Sequence, residues 1–285
     1  MAKIPDLSIL IADSGSSKAD WVYISGSGET RFRTAGFNPY FFTATRFTKA
    51  MIREVIPPLQ GSKPDAIFFY GAGCAAQERK ELVRDGIQSV FQNARIEIND
   101  DLLGAARGLL QQQAGFTAIL GTGMNNGWYD GTRIVKQVDS LGFILGDEGS
   151  GTAIGKRVIA AVLREEMPEE LRHKFYDTYK LHRDDIIRLV YGGNEVNRFI
   201  AGFTRFAGDH IRDPFVKNLL AEAFRDFCLK IVSKYREHSE ATFNCVGSVG
   251  FYFSEILSEV IAEFGMKPGK IVQSPMDGLV AFHTK

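Results

Sequence analysis

The residues of this chain best suited to chemistry are a few acids set beside glycine-rich turns. Asp13 ends an apolar run, residues 8–12, and leads into Ser14-Gly15-Ser16-Ser17-Lys18. Asp100-Asp101 follow another short run, residues 95–99. Residues 117–120 lead into Gly121-Thr122-Gly123-Met124-Asn125-Asn126-Gly127, and residues 143–145 into Gly146-Asp147-Glu148-Gly149-Ser150-Gly151. Small residues beyond a strand let backbone N–H groups approach phosphate or sugar oxygens. A strand-end carboxylate such as Asp13 can hold Mg²⁺ through water, and an acid such as one of Asp100-Asp101 can take a proton from a hydroxyl. Phosphoryl transfer to an alcohol needs that combination of base, metal and donors. Each part also has a plainer use: the turns as hairpins, and either aspartate of the pair as a helix N-cap.

Other phosphate-binding patterns fit less well. Around Gly155-Lys156 a P-loop would require Gly at 150 and Ser or Thr at 157, where the chain has Ser150 and Arg157. Gly71-Ala72-Gly73-Cys74-Ala75-Ala76 has the form of a dinucleotide fingerprint, but a meander and a helix precede it, so it reads as a close-packed turn lining a cleft.

Three strands at residues 8–13, 19–24 and 31–35 form a meander, followed by a helix at 43–56 stopped by Pro57-Pro58. A strand at 66–70, a helix at 77–91, a strand at 95–99 and a helix opened by Asp100-Asp101 complete a βββαβαβα unit. A second meander then starts at residue 117, with Trp128 placed after its turn much as Trp21 is after the first, which suggests a duplicated unit. Residues 149–237 read as mainly helical, with one long helix spanning 213–237. A strand at 241–246, a helix at 251–264, a strand at 270–273 and a final helix from Met276 close the chain.

The 285 residues include 34 Lys+Arg and 34 Asp+Glu, so the formal charge is zero and a general nucleic-acid surface is disfavoured. Cys74, Cys228 and Cys245 are too scattered for a disulfide framework or a CxxC site, which fits a reducing cytoplasm. The first residues do not read as a signal peptide, and no apolar run approaches the roughly 20 residues of a membrane span.

Taken in order, Asp13 to Lys18, Asn99-Asp100-Asp101, Gly121-Thr122-Gly123-Met124-Asn125, Gly146-Asp147-Glu148-Gly149-Ser150 and Val246-Gly247-Ser248-Val249 resemble the N-acetylglucosamine kinase branch of the actin-like ATPase superfamily. That branch is grouped with the activator ATPases of 2-hydroxyacyl-CoA dehydratases. The resemblance covers essentially the whole chain. It implies an α/β protein of two RNase H-like lobes, 1–112 and 113–275, with a helical insertion at about 156–238 in the second and the last helix packing back on the first. ATP and a sugar would lie between the lobes.

Carried over by position, Asp101 would be the catalytic base, and Asp13 the acid near Mg²⁺. Ser14, Gly15, Ser16, Ser17 and Lys18 would form the first phosphate loop, Thr122 and Gly123 the second, and Gly247 and Ser248 the border of the adenosine pocket. Asn38, Asn125 and Asp147 would bind sugar hydroxyls or the acetamide, with Gly73 beside them in its turn. The chain departs from many members in having Ser-Gly-Ser-Ser-Lys in the first loop and Met124 where Ser is frequent. The activity implied is transfer from ATP to an amino sugar such as N-acetylglucosamine at its 6-hydroxyl, in a cytoplasmic enzyme with no nucleic-acid or membrane partner and a homodimer as one assembly. The alternatives are an activase-type ATPase, for which the cysteines offer no obvious cluster set, and a non-catalytic sugar sensor, for which no helix-turn-helix extension is seen.

Overall fold

The apolar run at residues 8–12 becomes the centre of a five-stranded sheet. In the computed structural model, which describes residues 7–39, 43–236 and 241–285, the elements of this part are β1 (Ile9–Ser14), β2 (Lys18–Ser25), β3 (Gly28–Ala35), α1 (Ala44–Ala50), β4 (Ala66–Gly71), α2 (Gln77–Gln88), β5 (Arg95–Asp100) and α3 (Asp101–Leu110). The strand order is β3-β2-β1-β4-β5. β2 pairs antiparallel with β1 and β3, while β4 runs parallel to both β1 and β5. Ile9, Leu10, Ile11 and Ala12 are all buried because both faces of the sheet are covered. On one face Trp21, Phe37, Phe47 and Phe69 pack as an aromatic cluster against α1 and α2.

On the other face lies the end of the chain, α13 (Met276–His283), whose Met276 and Leu279 join Ile9, Ile11, Val22, Ile24 and Tyr70 in a core. By contact, the described residues up to Ala114 group with Tyr129–Val135 and Ser274–Lys285 into a first unit, and Gly115–Trp128 with Lys136–Gln273 into a second.

The second sheet has the order β10-β9-β6-β7-β8. Its strands are β6 (Gly115–Leu120), β7 (Met124–Tyr129), β8 (Ile134–Lys136), β9 (Thr242–Val246) and β10 (Lys267–Val272). Between β8 and β9 come α4 (Gly142–Leu145), α5 (Gly151–Leu163), α6 (Glu169–Tyr179), α7 (Arg183–Gly192), α8 (Val196–Gly202), α9 (Thr204–Asp209) and α10 (Pro214–Lys230). Between β9 and β10 lie α11 (Ser248–Tyr252) and α12 (Ser254–Glu263). Ile154, Val158 and Val162 recur along α5 at helical spacing and meet Leu220, Phe224 and Phe227 of α10 in the core of this unit. Two mixed five-stranded sheets with flanking helices make this the two-lobed α/β fold that the sequence implies. Among the described residues, no helix is long and apolar enough to cross a membrane.

Several expected elements are cut differently. The helix at 43–56 is α1 only as far as Ala50; it widens into π geometry over Met51–Val55 and tightens to 3₁₀ at Pro57–Leu59, because two successive prolines donate no N–H bonds. The helix at 251–264 is broken at Phe253, whose φ of −107° and ψ of 23° turn its ring into the core, where it is 4% exposed. The long helix at 213–237 ends at Lys230 and is followed by a 3₁₀ turn, Val232–Lys234; positions 237 and 238 lie outside the described residues. The apolar run at 143–145 is no strand but the one-turn α4, with Ile144 and Leu145 both exposed.

Candidate active site

In the first unit the chemistry gathers at one edge of the sheet. β1, β4 and β5 are mutually parallel, and their register sets Ser14 beside Gly71 and Gly71 beside Asp100. The carboxyl ends of parallel strands are where open α/β sheets bind ligands. Asp100 is the N-cap of α3, its Oδ1 accepting the Leu103 N–H at 2.8 Å. Asp101 is therefore the first helical residue, partly buried. Burial, then the charges of Asp101 and Asp20, push the Asp13 carboxyl up to about 7, against the opposing effect of Lys18.

The turn after β1 is braced from behind by residues 36–38. The Phe37 N–H donates to Ser14 Oγ at 2.9 Å, and Asn38 Nδ2 donates to Ser16 Oγ at 2.8 Å. Gly36 is required there, since a Cβ would lie 2.2 Å from the Gly15 carbonyl oxygen. The Gly15 N–H closes the turn on the Lys18 carbonyl at 3.0 Å. Ser14 is wholly buried, so its hydroxyl serves the brace, leaving Gly15, Ser16, Ser17 and Lys18 partly open. Asn38 is 8% exposed. The Gly73 turn is tied to the same edge by the Ala72 N–H, which donates to the Ser14 carbonyl at 2.8 Å.

In the second unit β6, β9 and β10 are parallel, and the turn after β6 carries Thr122 and Gly123. Its carbonyls accept the first amides of α5, Gly151 N to Gly121 O at 2.8 Å and Thr152 N to Thr122 O at 3.1 Å. Asp147 holds the other side, its Oδ1 accepting the Met124 N–H at 3.2 Å. It is 6% exposed in a left-handed backbone conformation (φ 57°), and burial raises its carboxyl to about 6 despite the Met124 N–H and Lys156, with Glu148 adding to the rise.

Asn125 is partly exposed and its Oδ1 accepts from the Asn126 N–H and from Gln137 Nε2. After β9, Gly247 (φ 119°) lies so close to the end of β6 that a Cβ would sit 2.3 Å from the Leu120 carbonyl oxygen. Ser248, next to it, is partly exposed.

Two supporting networks were not singled out from the sequence. Asn126 is fully buried, donating to the Val138 carbonyl and accepting the Tyr235 hydroxyl. The period of two along β7 was the available signal, since of two successive asparagines one must face inward. Behind α3, Arg107 Nη1 donates to the Tyr70 hydroxyl at 2.8 Å and to Glu97 at 3.0 Å, and Tyr70 also bonds His283 at 2.9 Å, whose imidazole burial pushes down to about 4. Nothing local in the sequence pairs residue 70 with residue 283.

No family model matches the chain. An N-acetylmuramic acid/N-acetylglucosamine kinase of Clostridium acetobutylicum is 30% identical over 173 residues, 58% of this chain, and the match spans 56% of that relative's length. A solved structure from Porphyromonas gingivalis, named as a candidate N-acetylglucosamine kinase, is 39% identical with a TM-score of 0.93, covering 97% of this chain and 98% of that one. The chain belongs to the N-acetylglucosamine kinase branch of the actin-like ATPase superfamily. A Streptomyces griseus ROK-family glucokinase, solved with glucose and AMPPNP, shares the fold with this branch member at a TM-score of 0.58 and 14% identity, covering 96% of this chain and 97% of that one.

Proposed function

We propose that the chain is an ATP-dependent kinase that phosphorylates an amino sugar such as N-acetylglucosamine at its 6-hydroxyl. The observation that carries this reading is the acidic edge of the first sheet. One aspartate of the pair is used as the helix cap, while Asp101 lies close enough to Asp13 to raise its pKa. The names of the Clostridium and Porphyromonas relatives support the same class of substrate.

In this reading ATP supplies the phosphoryl group. Asp101 accepts the proton of the attacking hydroxyl. The small turns at 15–18 and at Thr122-Gly123 present backbone N–H groups and hydroxyls to phosphate oxygens, with Lys18 as their cation. Asn38, Gly73, Asn125 and Asp147 bind the sugar. A partly buried carboxylate with two acidic neighbours and one lysine gains from a divalent cation, so Asp13 fits a Mg²⁺ ion. Among the described residues no group of three acidic, His or Cys side chains could hold a metal directly, which favours contact through water. The activase alternative gains no support: Cys74, Cys228 and Cys245 are all buried, with thiols pushed up to about 12 by that burial.

The test is ADP release over a panel of hexoses and amino sugars. Turnover with N-acetylglucosamine and formation of its 6-phosphate are expected; no turnover with any sugar would refute the proposal. Asp101→Asn is expected to lower kcat by at least about 100-fold, the usual share of a general base, while sugar still binds. A near-normal rate would remove Asp101 from the role.

A further inference from the structure

The segment from Ser140 to Asp147 in the second unit is a closed loop built around the one-turn α4. The Asp147 N–H donates to the Ser140 carbonyl at 2.8 Å, and the Gly146 N–H to the Gly142 carbonyl at 2.8 Å. Leu141 (φ 59°) and Asp147 (φ 57°) stand near its two ends in left-handed backbone, which residues other than glycine keep only under constraint. Leu141, Ile144 and Leu145 are 62%, 75% and 76% exposed, so burial of these side chains does not supply that constraint.

A side chain from α5 does supply it. In a longer helix the N–H of residue 147 would serve the Phe143 carbonyl, but here it goes to Ser140. Lys156 Nζ donates to the Phe143 carbonyl instead, at 2.7 Å. This is the lysine whose neighbours do not complete a P-loop. The same ammonium acts on Asp147. That carboxylate faces the turn after β6, since its Oδ1 accepts the Met124 N–H and its Oδ2 would lie 3.1 Å from a Cβ on Gly123. Among the described residues, the charged groups acting on it are Lys156, which opposes its protonation, and Glu148, which favours it. Glu148 is itself paired with Lys230 Nζ at 3.3 Å.

We propose that Lys156 is a positioning residue for the sugar, holding the 140–147 loop in the form that presents the Asp147 carboxylate as an acceptor. This rests on the kinase reading, in which Asp147 binds the sugar, and deepens it by naming the residue that sets how tightly. Without the ammonium the Phe143 carbonyl loses its donor, the left-handed ends of the loop relax, and Asp147 leaves its place beside the turn. The charge that keeps Asp147 ionised goes with it.

The experiment measures the Kd and KM of N-acetylglucosamine, the KM of ATP and kcat between about pH 5 and about pH 9 in wild type, Lys156→Met and Lys156→Arg. Residue 156 is partly exposed, so its variants should fold. Lys156→Met is expected to raise the sugar Kd and KM by about 10-fold or more, the scale of a lost charge-assisted hydrogen bond, with kcat and the KM of ATP within about twofold of wild type. In wild type the sugar KM rises as pH falls through about 6, where Asp147 takes up its proton; in Lys156→Met that rise starts at a higher pH. Lys156→Arg keeps the wild-type pH profile and most of the affinity. In an Asp147→Asn background, Lys156→Met has little further effect. A wild-type sugar KM and pH profile in Lys156→Met would overturn the assignment, as would an equal rise in the KM of ATP. A wild-type protein that neither binds nor phosphorylates N-acetylglucosamine would instead refute the proposed function, and the role of Lys156 with it.

Discussion

Replacing Asp13 with Asn should flatten the dependence of stability on pH. Its carboxyl is raised from 3.8 to about 7 in the fold, chiefly by burial and then by Asp101 and Asp20. The folded state therefore keeps a proton that the unfolded chain has released. A raised carboxylate contributes most below its unfolded pKa, and that contribution is lost as pH climbs through the window from 3.8 to about 7. Between about pH 5 and about pH 8 the difference in proton binding integrates over about two pH units, at about 1.36 kcal/mol each, for a ceiling of about 2.6 kcal/mol.

Asp13 keeps part of its surface open to water, which reduces the expected loss to about 1–2 kcal/mol. Asp147, raised to about 6, adds a loss of the same sign in wild type and variant alike, so the difference between the two proteins isolates Asp13. Urea unfolding of both at the two pH values is the assay. Wild type should lose about 1–2 kcal/mol more than Asp13→Asn on going from low to high pH, and millimolar Mg²⁺ should reduce the wild-type loss at high pH. Parallel losses would refute the burial argument, and a Mg²⁺ effect equally large in the variant would remove Asp13 as the cation's partner.

Two further substitutions test the scaffold. Gly36→Ala should cost about 1–3 kcal/mol and raise the KM for ATP, because the new methyl group meets backbone of the first phosphate turn; unchanged unfolding and kinetics would show that the brace yields. Thr117→Val in β6 should stabilise by about 1 kcal/mol at constant m-value, since the Thr117 hydroxyl is buried without a hydrogen-bond partner among the described residues, and a lower urea midpoint would mean that it has one.

The strands of the sheets were legible because each is a short apolar run bounded by turn residues: residues 66–70 became β4 and 241–246 became β9 with at most a residue's change at either end. The breaks within helices were not. Whether the run from 251 continues or turns at Phe253 depends on a core pocket that accepts its ring, which a helical pattern does not specify. Similarly, residues 143–145 are apolar enough for a strand, but they coil into one turn with Ile144 and Leu145 exposed.

At the candidate site, the sequence showed that one of two aspartates would cap α3 but not which one. That was decided where β5 ends: Asp100 keeps an extended ψ of 160°, so its carboxylate meets the Leu103 N–H and Asp101 falls on the helix. Ser14 illustrates the other limit. Its type suggests a phosphate contact, yet its hydroxyl accepts the Phe37 N–H inside the fold. Small size, more than polarity, is what that position needs, because the turn is held by backbone groups arriving from Gly36, Phe37 and Lys18. A motif of small residues is therefore a record of close backbone approach, and the side chains that meet the ligand must be sought among those the approach leaves exposed.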